Sequence, residues 1–437
     1  MIEKIRNYFK KLGPGLITGA SDDDPSGIAT YSQTGAQFGL AQLWMALAMF
    51  PMMAAVQEMC ARIGMVTGSG LAGVIRKNYP KIVLYLAASL LLVANTINIG
   101  ADIGALAASL ELLLPPCITT VFVSKLLIPI LFTLIILSLE IMMPYRSYSK
   151  VLKWLTLSLV AYILTALVVG ADWPSIFKAS VLPHIKFDRN FLMIAVGVLG
   201  TTISPYLFFW QASEEVEEEI AEKKIKITSP GIRTPIIKTD EIKSMRIDII
   251  SGMFLSSIVA WFIIITTAST LFKNGITDIV SAQQAAAALE PLVKTFPNAG
   301  LIAKFLFAIG IIGTGLLAIP VLSGSAAYAL SEGFGWKEGL YRKFNQAHGF
   351  YGVIIFATLI GLLINFIGFS PIKALVYAAV INGVVSVPLL VIIMFISNNQ
   401  KIMGENTNRK LSNYLGWITT AFVATAVILM FAFWSQS

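Results

Sequence analysis

Long apolar stretches separated by short polar connections dominate the hydrophobic pattern of this chain of 437 residues. A transmembrane helix needs about 20 consecutive apolar residues, because the hydrocarbon core of a bilayer is about 30 Å thick. Eleven stretches meet this length, and we number them as segments 1 to 11 in chain order. Their predicted bounds are 13–39, 42–66, 81–110, 118–143, 148–170, 190–213, 246–272, 301–329, 349–368, 371–396 and 413–434. The predicted fold class is an all-α integral membrane protein with one transmembrane domain over residues 1–437.

Two of the segments contain a proline beside polar residues, which predicts a break in each helix. Segment 1 reads SDDDPSG from Ser21 to Gly27, and segment 6 reads GTTISPYLFF around Ser204 and Pro205. Proline lacks a backbone donor and glycine permits unusual backbone angles, so each break should free carbonyl oxygens. The alternative is that neighbouring helices satisfy the backbone groups that an ordinary membrane proline frees.

The two breaks occupy matching places in the chain, since each lies in the first of five consecutive segments. This favours two five-helix repeats of opposite orientation followed by an additional helix. The first repeat is predicted over about 13–170, the second over about 190–396, and the additional helix over about 413–434.

Composition supports the membrane assignment, because 56% of residues are hydrophobic, only 13% are charged, and the mean hydropathy is +0.77. The basic residues behind the net charge of +8 are distributed among the loops and are not clustered on one face. This distribution is typical of the positive-inside rule of membrane proteins and not of nucleic-acid binding. With a cytoplasmic N terminus, 24 of the 32 lysines and arginines fall on the inner side and the C terminus lies outside. The apolar run after the basic start leads into aspartates, so we expect it to be retained and not cleaved as a signal peptide.

Two longer polar stretches lie between segments. Residues 214–243 are too short for a domain and are predicted to form a cytoplasmic loop. Glutamates at its start could attract a departing cation, but for Glu217 to Glu219 a solvated charge run is the simpler interpretation. Residues 281–294 are predicted to form a short external surface helix.

Asp24 is the strongest candidate ligand, because a carboxylate at bilayer depth needs a cation or an aqueous cavity. The backbone at Gly27 and the hydroxyls of Ser204, Thr201 and Thr202 would join it from the two breaks. All these ligands are oxygens, which suit Mg²⁺, Ca²⁺ and Mn²⁺. The alternative is that Asp24 caps the second half-helix, and it could do both. Asp22 and Asp23 either contact the ion or line the inner vestibule, and we include Asp23 among the candidate ligands.

Segment 3 carries Asn95, Asn98 and Asp102 at spacings of three and four, which places them on one helical face. This face is predicted to line the pathway, and Asp102 is a further candidate metal ligand. Interhelical hydrogen bonding would account for the two asparagines but less well for Asp102. Asn382 in segment 10 is a weaker candidate.

At these residues the chain resembles the Nramp family of divalent metal transporters over essentially its whole length. The family's first helix carries an Asp-Pro-Gly-Asn motif that binds metal, and its Asp and Pro match Asp24 and Pro25. Where the sixth helix of the family has Ala-x-x-Met-Pro-His, this chain has Thr201, then Ser204, Pro205 and Tyr206. The resemblance implies a LeuT-like fold with broken first and sixth helices.

The departures from the family pattern concern selectivity and protons. The methionine that favours transition metals and the histidine associated with proton movement are both replaced. The third-helix acids of the family fall on Asn98 and Ala101. These departures are similar to those of the Nramp-related magnesium transporters, a divergent bacterial branch, so the resemblance implies Mg²⁺ as substrate, Mn²⁺ as tolerated, and transport that is not proton-coupled.

Three rival functions remain open at this point: a proton-coupled Mn²⁺/Fe²⁺ transporter of the ordinary Nramp type, a sodium-coupled carrier of a small organic substrate, and a metal-sensing receptor. An enzyme is not expected, because the two histidines, His184 and His348, are predicted to lie in loops. Apart from the transported ion and the lipid bilayer, no cofactor and no obligatory protein partner are expected.

Overall fold

The computed structural model describes residues 13–115, 123–143, 156–229, 232–235, 239–368 and 370–434. We number its α-helices and strands in chain order. The first half contains α1 Pro14–Asp22, α2 Pro25–Phe38, α3 Leu43–Thr67, α4 Leu71–Asn78, α5 Lys81–Glu111, α6 Ile128–Met142, α7 Val160–Val168 and α8 Trp173–Val181. The second half contains α9 Arg189–Thr202, α10 Pro205–Ala221, β1 Ile225–Ser229, β2 Ile232–Pro235, α11 Thr239–Thr270, α12 Ala282–Ala287, α13 Glu290–Val293, α14 Ala299–Phe334, α15 His348–Ile364, α16 Pro371–Ser397, α17 Gln400–Met403 and α18 Lys410–Ala432.

Nine helical stretches in the described part of the chain are long and apolar enough to cross a membrane. A tenth would count if Leu157–Val168 and Trp173–Val181, which are bent by 119° relative to each other, formed one span. The prediction of eleven spans is therefore not matched by eleven continuous helices. Segment 1 divides into helices of 9 and 14 residues, and at 1.5 Å per residue the longer is about 21 Å, too short to cross alone. The predicted starts of segments 4 and 5 lie outside the described residues.

The polar stretch at 214–243 differs from the predicted loop. Helix α10 continues to Ala221, and β1 and β2 then form a two-stranded antiparallel sheet in which Ile225 pairs with Pro235. The β-branched residues in IKITS favour an extended backbone, a preference that the loop interpretation overlooked. Over the described residues the regular structure is thus helical apart from this hairpin. The predicted surface helix at 281–294 is confirmed as helical, but as the two short helices α12 and α13.

Small residues let the long helices approach closely around the centre of the bundle. A methyl group at Gly200 of α9 would lie 2.7 Å from the Cα of Gly383 in α16. Gly100 of α5 and Gly361 of α15 face each other in the same way. Helix association in membranes depends on such close packing, because lipid tails are as apolar as the side chains. The main apolar cluster includes residues beside both breaks, such as Ile28 and Ile203.

Candidate metal site

The predicted break in segment 1 is confirmed, with α1 ending at Asp22 and α2 beginning at Pro25. Asp24 has an extended backbone and caps α2, because its Oδ1 accepts hydrogen bonds from the Gly27 amide at 2.7 Å and the Ser26 hydroxyl at 2.6 Å. Pro25 suits the first helical position, where no amide donor is needed. The capping interpretation of Asp24 is therefore confirmed, and it uses only one of the two carboxylate oxygens.

The other carboxylate oxygen of Asp24 faces α5 and α10. Its Oδ2 accepts a hydrogen bond from the Asn98 side-chain amide at 3.1 Å. The Tyr206 hydroxyl lies 3.5 Å away and donates over 3.0 Å to the carbonyl of Ser21. Asp24 is fully buried, and none of the ion pairs seen among the described residues involves it. Its charge is thus held by neutral donors only.

The predicted break in segment 6 is also confirmed, since α9 ends at Thr202 and α10 begins at Pro205. Ser204 lies between them and donates to the carbonyls of Gly200 at 2.7 Å and Thr201 at 2.6 Å. The Thr201 hydroxyl is buried and has no hydrogen-bond partner. A methyl group at Gly27 would lie 3.1 Å from this hydroxyl and 3.2 Å from the carbonyl of Asp22. The two breaks therefore meet at Gly27 and Thr201.

The polar face of α5 divides into residues with and without partners. Asn98 reaches Asp24, whereas Asn95 donates to the Leu322 carbonyl at 2.8 Å and the Ser325 hydroxyl at 2.7 Å, both in α14. Interhelical bonding thus accounts for Asn95. Asp102 is fully buried, and neither carboxylate oxygen has a hydrogen-bond partner. A carboxylate in this state requires a cation, a proton or water.

Asp22 and Asp23 face a different helix from Asp24. The Ser256 hydroxyl of α11 donates to Asp22 Oδ2 at 2.5 Å and lies 3.3 Å from Asp23 Oδ1. Asp24 accepts a hydrogen bond from Asn98 of α5, whereas Asp23 contacts Ser256 of α11. The two carboxylates therefore do not share these hydrogen-bond partners. The role of Asp23 as a ligand stays a prediction. Sequence reasoning missed Ser256, since a serine more than 230 positions away carries no signal of this contact.

One face of α11 holds α1 along its whole length. At one end, the carboxylate of Asp248 accepts hydrogen bonds from the amides of Gly13 at 2.9 Å and Gly15 at 2.7 Å. In the middle, a methyl group at Gly19 would lie 2.7 Å from the Cα of Gly252. At the other end Ser256 contacts the two aspartates. Asp248, Gly252 and Ser256 are spaced four residues apart, so they share one helical face.

The glutamates after the second break are largely not solvated. Glu215 is buried and accepts a hydrogen bond from Gln211 at 2.9 Å. Glu217 accepts hydrogen bonds from the Tyr328 hydroxyl and, at 2.6 Å, from the Leu340 amide. Glu219 is buried as well. The interpretation of Glu217 to Glu219 as a solvated run is therefore wrong for Glu217 and Glu219, because α10 continues against α14 instead of ending in a loop.

No three His, Cys, Asp or Glu side chains in the described part of the chain converge as metal ligands. A metal site at the breaks would therefore combine one or two carboxylates with neutral oxygens, such as carbonyls, hydroxyls and waters. Asn382 of α16 is fully buried with neither side-chain polar atom bonded. Tyr206, which was not among the candidate ligands, contacts both Asp24 and the end of α1.

The sequence profile of the family Nramp, described as natural resistance-associated macrophage protein-like, matches residues 15–432. The chain belongs to this family and is a multi-pass membrane protein. It is 26% identical over 444 residues to divalent metal cation transporter MntH 1 of Pseudomonas aeruginosa, covering 98% of this chain and 93% of that protein. It is 25% identical over 421 residues to divalent metal cation transporter MntH of Klebsiella pneumoniae, covering 95% of this chain and 92% of that protein. These relatives are named as transporters and not as enzymes.

Solved structures support the same fold. The manganese transporter of Eremococcus coleocola superimposes with a TM-score of 0.72 at 17% identity, covering 99% of this chain and 87% of that one. MhsT in complex with L-phenylalanine superimposes with a TM-score of 0.60 at 11% identity, covering 96% of this chain and 97% of that one. The expected LeuT-like helical architecture with broken first and sixth helices is thereby supported.

Proposed function

We propose that this protein is a secondary transporter that imports divalent metal cations across the cytoplasmic membrane, with Mg²⁺ preferred and Mn²⁺ tolerated. The observation that carries the proposal is the pair of buried carboxylates, Asp24 at the helix break and Asp102 on the facing helix, neither of them in an ion pair among the described residues. Each buried charge costs roughly 2.5–3.5 kcal/mol in a membrane helix. A divalent cation would offset two of them.

The proposed ligands are Asp24 with Thr201, Ser204 and the backbone at Gly27, and either Asp102 or Asp23 as the second carboxylate. The unpartnered Thr201 hydroxyl beside Gly27 supports this choice. All of them are hard oxygen ligands, and Mg²⁺ dehydrates reluctantly and keeps several waters when it binds few carboxylates. Ser204 stands where the family motif has methionine, so no thioether competes in favour of softer metals.

The rival with specific support is a proton-coupled transporter of Mn²⁺ or Fe²⁺, because the structurally similar Eremococcus coleocola protein is named a manganese transporter. A sodium-coupled carrier of an organic substrate has weaker support. The likeness to MhsT concerns the fold alone, and the buried aspartates at the break would repel a substrate carboxylate.

We infer that the chain consists of two inverted repeats, over about 13–170 and 190–396, and an additional helix over about 413–434. The equivalent breaks at Asp24 and Ser204, each opening its repeat, support this division. Alternating access would then proceed around the breaks, with the N terminus cytoplasmic and the C terminus outside. The basic residues of the predicted inner loops support this orientation.

Transport is expected not to require protons. Proton relays in membranes are usually chains of Asp, Glu or His. Here Tyr206 replaces the family histidine, His184 lies outside the helices, and His348 is the exposed first residue of α15. The membrane potential alone contributes about 2.3 kcal/mol per charge per 100 mV. Proteoliposomes with a trapped pH-sensitive dye should therefore take up Mg²⁺ and Mn²⁺ without internal acidification, at rates independent of a pH gradient.

Uptake of Mg²⁺, Mn²⁺ and Ca²⁺ in the same vesicles tests the proposed function itself. Protein-free vesicles provide the background rate. Absence of uptake for all three ions would refute metal transport. Metal-dependent acidification together with a preference for Mn²⁺ over Mg²⁺ would establish the rival instead.

Ser204→Met is expected to shift the ratio of uptake rates toward Mn²⁺ and Cd²⁺ at the expense of Mg²⁺, by about tenfold, because a thioether replaces a hard oxygen. Competition of each ion against Mg²⁺ in proteoliposomes measures the ratio. Ser251→Met, which changes a serine of α11 away from the breaks, is the matched control and should leave the ratio unchanged. An unchanged ratio in Ser204→Met would show that residue 204 does not face the ion.

A further inference from the structure

A cavity of about 290 Å³ lies at the ends of α2, α9 and α16 that are farthest from the two breaks. Its polar lining comes from these helices and from the connection between α11 and α12. In the proposed orientation this end of the bundle is external. Its polar lining residues include Gln33, Thr277, Asp278 and Lys373.

Gln33 of α2 fastens the connection on both sides of Asp278. Its side-chain amide donates to the Thr277 carbonyl at 3.1 Å, and its side-chain oxygen accepts from the Ile279 amide at 2.9 Å. Gln33 is 6% exposed, and its bond to the Ile279 amide is buried. The backbone that carries Asp278 is thereby fixed to the half-helix that Asp24 caps.

The carboxylate of Asp278 is held at the cavity by a lysine of α16. Lys373 Nζ lies 3.1 Å from Asp278 Oδ2, and their side chains are 45% and 60% exposed. An ion pair this exposed contributes little stability and exchanges readily with ions in solution. A divalent cation that arrives at the cavity carries twice the charge of the lysine.

The cavity and the proposed metal site lie along the same helices. Gln33 is nine positions after Asp24, which corresponds to about 13.5 Å along α2. Between them Thr30 has a buried hydroxyl without a partner. The helices close at Gly197 of α9, where an added methyl group would lie 3.3 Å from Thr30 and 3.4 Å from Val380. This close contact lies along α2 between the cavity and the breaks.

We propose that Asp278 captures the incoming divalent cation at the outer end of the transport path, and that Lys373 competes with the ion for this carboxylate. The inference rests on the proposed transport of divalent metals. Asp278 and Lys373 would set the affinity of the outward-facing protein for its substrate. They would not affect the rate at which the protein changes conformation.

The test measures initial Mg²⁺ uptake against Mg²⁺ concentration in proteoliposomes. Lys373→Gln is expected to lower KM about two- to fivefold, and Asp278→Asn is expected to raise KM by a similar factor. This is the size of effect that an exposed charge pair produces. The value of kcat should be unchanged in both variants. The two effects should shrink at high salt, because both side chains are exposed. Lys304→Gln removes an external lysine at a different cavity and should leave KM unchanged.

The double variant Asp278→Lys/Lys373→Asp distinguishes capture of the cation by Asp278 from an ion pair that only holds the connection between α11 and α12 to α16. If the pair only fastens the connection to α16, both single variants should change KM in the same direction and the charge swap should restore it. That result would overturn the proposal, as would wild-type KM in both single variants. Wild-type protein without any metal uptake would refute the proposed function and this inference together, whereas normal uptake that depends on Asp24 would leave the function standing.

Discussion

Asp24→Asn is expected to lower Mg²⁺ uptake at least about 100-fold, because even residues that only orient a metal ligand cost about 10- to 100-fold when they are changed. Asparagine caps helices as well as aspartate does, so α2 should keep its start. The substitution also removes a buried charge, and the melting temperature should stay equal or rise. Uptake in proteoliposomes measures the loss of transport, titration calorimetry with Mg²⁺ measures the loss of binding behind it, and thermal unfolding measures the stability.

Asp188→Asn provides the matched control, since Asp188 caps α9 through a 2.9 Å hydrogen bond from the Phe191 amide. That variant loses a capping charge away from the breaks and should transport like the wild type. If Asp24→Asn also transports normally, Asp24 acts only as a cap and the proposed site is wrong.

Gly19→Ala is expected to separate α1 from α11. The added methyl group would lie 2.5 Å from the carbonyl carbon and 2.7 Å from the Cα of Gly252, and backbone atoms of a packed helix cannot move aside cheaply. Overpacking of this kind costs about 1–3 kcal/mol, which would shift the balance between closed and displaced α1 by about 5- to 150-fold. The contacts of Asp248 and Ser256 with α1 would be weakened at the same time.

Two measurements can detect the displacement of α1 from α11. Mg²⁺ uptake should fall more than about fivefold, the lower end of that shift. A cysteine introduced at the buried Ser21, with Cys60 and Cys117 replaced by alanine, should react faster with a membrane-impermeant thiol reagent. Gly352→Ala in α15 is the control, because a methyl group there meets no atom within 4 Å. Normal uptake and an unreactive cysteine in Gly19→Ala would show that α1 tolerates distance from α11.

Much of the helical framework could be predicted from the sequence. Segments 2, 3, 10 and 11 match α3, α5, α16 and α18 to within a few residues, because an apolar run of bilayer length allows little else than a helix. Both breaks could be predicted too, since proline beside several polar residues disfavours a continuous helix. The family resemblance rested on these same residues.

The errors arose where the sequence allowed more than one structure. Residues 214–243 were predicted as a loop from their polarity, yet α10 continues and a hairpin follows, because buried partners in α14 accommodate the glutamates. A packing partner distant in the chain thus changed the outcome.

The sequence by itself determined where the chain is apolar enough to cross a bilayer, where its helices break, and that Asp24 stands at the first break. These properties depend on backbone chemistry and on residues close in the chain. Only the tertiary structure decided that Asp24 turns one oxygen toward Asn98 and Tyr206, that Asp22 and Asp23 turn to Ser256, and that Asp102 stays without a partner. The physical reason is that the hydrogen bond or ion that satisfies a buried carboxylate depends on which helices pack beside it, and helix packing joins residues that lie far apart in the chain.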